Sequence, residues 1–135
     1  MKQIKVLVVD DRQDFRRVEL DFLNRLPNIN IVGEAVDGDE AIEKAETLSP
    51  DIILMDIAMP KKNGIEATRI IKQRWPDMKV MIQTTHDNPL YRIRALDAKA
   101  DGYILKSSLK HVLEAIFGVM RRDPLEYISG GKTII

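Results

Sequence analysis

The 135-residue sequence has no cysteine, which excludes a disulfide framework, thiolate catalysis and a cysteine zinc site. Histidine is nearly as scarce. The two present, His86 and His111, stand far apart in sequence, which argues against a histidine-built metal cluster. Neither sign of charge is in excess, 21 acidic residues standing against 21 basic ones, so no overall field draws the chain to nucleic acid or to a membrane surface. Long apolar runs are missing as well. The opening MKQIKVLVVDD meets charge after a few apolar residues, too soon for a signal peptide or a membrane span. These absences, with a length that suits one core, lead to the expectation of a single soluble, cytoplasmic domain without membrane contact.

What is there is an alternation. Ile4 to Val9 is apolar apart from Lys5 and reads as a strand buried on both faces, ending in Asp10-Asp11. Phe15, Val18, Phe22, Leu23 and Leu26 then fall on one stripe of a helix that Pro27 and Asn28 stop. Ile31 to Val36 reads as a second strand, and Asp37-Gly38-Asp39 opens a helix whose Ala41, Ile42, Ala45 and Leu48 share a face. After Pro50 comes Asp51 to Met55, a third strand delivering Asp56. The loop to Asn63-Gly64 opens a helix over Ile65 to Trp75, and Lys79 to Gln83 is a fourth strand running into Thr84, Thr85 and His86. Asn88-Pro89, a capping residue with proline at the first helical position, starts a helix to about Ala98. Gly102 to Leu105 is a fifth strand, ending at Lys106. Ser107 or Ser108 then caps a last helix on which Leu109, Val112, Leu113, Ile116, Phe117 and Met120 form a stripe. Right-handed crossovers turn such an alternation into a parallel sheet with helices on both faces. Residues 1–122 are expected to form the domain, and the tail at 123–135, with its proline and Gly-Gly pair, reads as a linker.

In an open α/β sheet, ligands bind outside the carboxyl ends of the strands. Asp10, Asp11, Asp56, Thr84 and Lys106 all fall at that edge. A lone aspartate there would do no more than end a strand, and a Lys106–aspartate pair could be a buried ion pair without chemistry. Several such residues converging on one edge favour chemistry. Three carboxylates in one pocket repel unless a cation intervenes, and oxygen ligands suit a hard ion such as Mg²⁺. Lys106 brings a point charge and Thr84 a hydroxyl, which suit phosphoryl oxygens, and Asp56 fits a nucleophile that forms an acyl phosphate.

VVDD, DIILMDIAMP followed by NG, the threonine closing the fourth strand and GYILK closing the fifth together resemble the receiver domain of bacterial two-component response regulators, over about Ile4 to Met120. THD, ALDAKADGYILKS and EYIS are most similar to the NarL/LuxR-type subgroup. The resemblance implies a flavodoxin-like (βα)5 three-layer sandwich with strand order 2-1-3-4-5. It implies that Asp56 accepts a phosphoryl group from a sensor histidine kinase, and that Mg²⁺ is held by Asp11 directly, by Asp10 largely through water, by Asp56 and by the backbone carbonyl of Ala58. Thr84 and Tyr103 correspond to the switch pair and Lys106 to the phosphate-binding lysine. Such a domain is not an enzyme in its own right, although it promotes its own phosphorylation and slow dephosphorylation. The expected output is transcriptional, through a helix-turn-helix DNA-binding domain outside this chain, with a homodimer on phosphorylation as one route. The alternative is a stand-alone receiver working by protein–protein interaction.

Two other readings fit less well. A nucleotide-binding domain would carry a glycine-rich loop where DDRQD stands, and a haloacid-dehalogenase-type phosphatase would carry an acid where Ala58 stands. The sequence also departs from the receiver pattern. Ser107 replaces the usual proline after the lysine, so a trans Lys106–Ser107 bond is expected. Lys99 replaces a glycine at a helix end, and Thr85 replaces a small residue and is expected to narrow access to Asp56. Ala58 and His86 would flank the hydrolytic water. Because alanine cannot orient it, a long-lived phosphorylated state is expected.

Overall fold

The computed structural model describes residues 3–59, 62–85 and 88–108. Strands β1 (Ile4–Val9), β2 (Ile29–Ala35), β3 (Ile52–Asp56), β4 (Lys79–Thr84) and β5 (Gly102–Leu105) alternate with helices α1 (Gln13–Asn24), α2 (Gly38–Leu48), α3 (Gly64–Arg74) and α4 (Pro89–Asp97). Every strand pair is parallel, and the order is β2-β1-β3-β4-β5, the flavodoxin-like order that the resemblance implies. The expected last helix and the tail at 123–135 lie outside the described residues.

Two cores flank the sheet. Leu7, Val9, Ile53, Met55, Val80, Ile82 and Tyr103 face α2, α3 and α4 through Ala41, Ala45, Ile65, Ile71 and Ala95. Val6, Val8, Ile52, Leu54, Met81 and Ile104 face Leu23 and the partly buried Phe15, Leu20 and Phe22 of α1. β3, the middle strand, is buried along its whole length, as expected of a strand covered on both faces. Helix starts follow local chemistry. The side chains of Asp37, Asn63 and Asn88 accept hydrogen bonds from the backbone N–H groups of Glu40, Glu66 and Leu90, at 2.8, 2.9 and 2.9 Å.

Several expected boundaries shift. β2 begins at Ile29 and ends at Ala35, because pairing with β1 recruits Ile29 and Asn30. β3 includes Asp56 and β4 includes Thr84, so these two side chains sit on strands and not in loops. Trp75 and Ala98 are the caps of α3 and α4. α1 ends at Asn24, which leaves Leu26 outside the helix, and its expected stripe is wrong at one position: Val18 is 66% exposed and Glu19 is 2% exposed. Helical periodicity places apolar residues without seeing a polar partner across the core, and Glu19 has one. Lys99 takes a left-handed conformation, φ 70°, its N–H donating to the Leu96 carbonyl at 3.0 Å. No peptide bond among the described residues is cis, Lys106–Ser107 included.

Candidate functional site

The parallel strands point their carboxyl ends to one edge, and the reactive side chains gather there. β1 runs straight into Asp10, which is fully buried, and then Asp11, which is exposed at the rim. β3 ends on Asp56, 4% exposed. One carboxylate oxygen from each of the three lies within 4.8 Å of the others. Lys106, the first residue after β5, reaches back across the sheet. Its Nζ stands 2.8 Å from Asp10 Oδ2 and 3.2 Å from Asp56 Oδ1.

Each group is held in place. The Arg12 N–H donates to Asp10 Oδ1 at 2.9 Å, and the Arg16 guanidinium donates to the Asp10 carbonyl at 2.7 Å while pairing with Glu34. The ring of Phe15 lies 4.2 Å from Lys106 Nζ, a cation–π contact that backs the ammonium on its apolar side. Behind Asp56, α3 starts so close that a Cβ on Gly64 would fall 1.9 Å from the Asp56 carbonyl oxygen. Only glycine fits there. Thr84 ends β4, buried at 4% exposure, on the same face of the sheet as Ile82 and Tyr103; Tyr103 is 3% exposed, with the Arg92 guanidinium 5.0 Å from its ring centre.

Three carboxylates against one lysine leave the pocket short of positive charge. Burial, and then the neighbouring charge of Asp10, push the Asp56 carboxyl up to about 6, with Lys106 pulling the other way. That imbalance, built from oxygen donors alone, fits a hard divalent cation seated on Asp10, Asp11 and Asp56. Ala58 is exposed in the loop following β3, and Thr85 is exposed beyond the end of β4. His86 lies outside the described residues. Sequence reasoning misses Glu19 and Gln83, which bond to each other behind the pocket, and it sets Phe15 on the core face of its helix without linking it to the lysine. The signal for both lies in α1, where Phe15 and Glu19 are four residues apart and so share a helix face.

A five-stranded parallel sheet whose carboxyl edge holds a lysine-bridged acidic pocket defines an α/β domain equipped for Mg²⁺-type ligation and phosphoryl chemistry. The chain belongs to the response regulator receiver domain family, which matches residues 6–117. Among curated proteins it is 43% identical to the transcriptional regulatory protein DegU of Brevibacillus brevis, over 77% of this chain and 44% of that protein. It is 45% identical to the response regulator protein VraR of Staphylococcus saprophyticus, over 84% of this chain and 54% of that protein. It thus spans about half the length of these relatives. Among solved structures, the signal receiver domain of NarL from Mycobacterium tuberculosis superposes with a TM-score of 0.82 at 28% identity, over 91% of this chain and all of that one. These likenesses support a NarL/LuxR-type receiver.

Proposed function

We propose that residues 1–122 form a phosphoacceptor domain in which Asp56 takes a phosphoryl group from the phosphohistidine of a sensor kinase. The observation that carries this reading is the Lys106 ammonium lying between Asp10 and Asp56 inside the three-carboxylate cluster. An Asp56 carboxylate oxygen forms the new P–O bond as the donor's P–N bond breaks. Lys106 moves from pairing two carboxylates to pairing the acquired phosphoryl oxygens. Thr84, at the adjacent strand end, donates its hydroxyl to the same group. Asp10, Asp11, Asp56 and the Ala58 carbonyl would hold Mg²⁺, which neutralises the charge that builds on the transferring group.

Drawing Thr84 toward the phosphoryl group biases Tyr103 and the surface around α4 and β5, and that surface carries the output. DegU is by name a transcriptional regulatory protein. By analogy the output here is control of transcription in the cytoplasm, with DNA contacted through a domain beyond residues 123–135 and with dimerisation as one way of transmitting the switch. The test is mass spectrometry after acetyl phosphate treatment with Mg²⁺. One added phosphoryl group is expected in the parent and none in Asp56→Asn; a phosphorylated D56N protein would overturn the assignment.

A further inference from the structure

Glu19 and Gln83 meet in the core between α1 and the sheet, 2% and 0% exposed. Gln83 Nε2 donates to Glu19 Oε1 at 3.0 Å. The partner atoms of the same two groups, Glu19 Oε2 and Gln83 Oε1, are both buried and both without a hydrogen-bond partner. Native proteins rarely leave two buried acceptors unpaired, and an ionised carboxylate in that position is costlier still.

A single hydrogen resolves both vacancies. A carboxylic acid and a carboxamide lying side by side form a ring of two hydrogen bonds, N–H to one oxygen and O–H to the other, and one half of that ring is already in place. We propose that Glu19 is held as the neutral acid, closes this ring by donating from Oε2 to Gln83 Oε1, and thereby serves as a positioning residue for the end of β4 beside the phosphoacceptor. Placement gives the ring its reach. Gln83 stands directly opposite Asp56 in the β3–β4 register and immediately precedes Thr84. One helical turn before Glu19, Phe15 rests on Lys106. The inner face of α1 therefore fixes the lysine from one turn and the β4 end from the next.

Neutrality also matters to the pocket. An ionised Glu19 would add another negative charge behind Asp10 and Asp56 and compete with them for Lys106. Burial, reinforced by the charges on Asp10 and Asp56 and opposed by Gln83 and Lys106, pushes the Glu19 carboxyl up to about 8. The inference rests on the phosphoacceptor reading for its consequence but not for the ring itself.

Carbon-13 NMR of the full chain with carboxyl-labelled glutamate separates the two. At pH 6 the Glu19 signal, assigned by its loss in Glu19→Gln, is expected at the neutral-acid position; a carboxylate position there overturns the proposal. In the second arm, acetyl phosphate labels each variant in the presence of Mg²⁺. Glu19→Gln restores both hydrogen bonds as an amide pair and is expected to label within about twofold of the parent, whereas Gln83→Leu and Glu19→Leu slow labelling about tenfold through misplacement of the β4 end. Leucine variants that fold and label like the parent overturn the positioning role. A parent that takes up no phosphoryl group refutes the phosphoacceptor reading, while the NMR signal still decides the ring.

Discussion

Replacing Lys106 by methionine would leave Asp10 and Asp56 facing one another without the cation they share. Methionine keeps much of the packing against Phe15, so the loss is mainly electrostatic. Breaking a buried pair by removing one partner costs about 3–5 kcal/mol. The penalty here is expected near the lower end of that range at pH 8 and smaller at pH 5, because protonating one carboxyl relieves the repulsion; urea titration at the two pH values checks it. Glu19 gives a second pH signature. Its carboxyl titrates near 8 in the folded chain against an ordinary 4.5. The folded state thus holds the proton more tightly, and the stability this confers is complete below about pH 4.5 and is lost as pH rises through about 8. Glu19→Gln removes that slope, so the variant is expected to gain on the parent by a few kcal/mol between pH 5 and pH 9, measured by thermal melts.

At the scale of elements, Lys99 closes α4 in a left-handed turn with φ 70°. An L-residue with a side chain is held there at a cost of about 1 kcal/mol that glycine does not bear. Lys99 is exposed, so Lys99→Gly is expected to raise the melting temperature by a few degrees without altering labelling. The elements themselves are legible in the sequence because each apolar run is short, β-branched and bounded by proline, glycine or a capping residue. The strand-end rule then places Asp10, Asp56 and Lys106 on one edge from the order of the residues alone. Val18 and Glu19 show where that legibility stops. Counting apolar positions assigns the inner face to Val18, but the helix turns so that a glutamate meets Gln83, 64 residues away in sequence. Pairwise polar contacts across a core leave no periodic trace. The start of β2 is hidden for a related reason, since Ile29 and Asn30 are strand only because β1 pairs with them.

For the molecule as a whole, the proposed cation site in the acidic pocket would couple metal binding to folding. A ligand that binds the folded state alone stabilises it by about 2.7 kcal/mol at a hundred times its dissociation constant. Saturating Mg²⁺ is therefore expected to raise the melting temperature, EDTA to reverse the rise, and Asp11→Ala to abolish it; a differential scanning experiment across these conditions decides the matter. The site's construction also has a temporal side. Asp10 and Lys106 are 96 residues apart along the chain, yet their charged atoms lie 2.8 Å apart. During synthesis the acidic pair emerges from the ribosome long before the lysine does. A nascent chain can thus display Asp10, Asp11 and Asp56 and still lack the ammonium that pairs with Asp10 and Asp56. On the proposed phosphoacceptor reading, competence would arrive only with the fifth strand, and a kinase meeting a half-made polypeptide would find the pocket without its lysine.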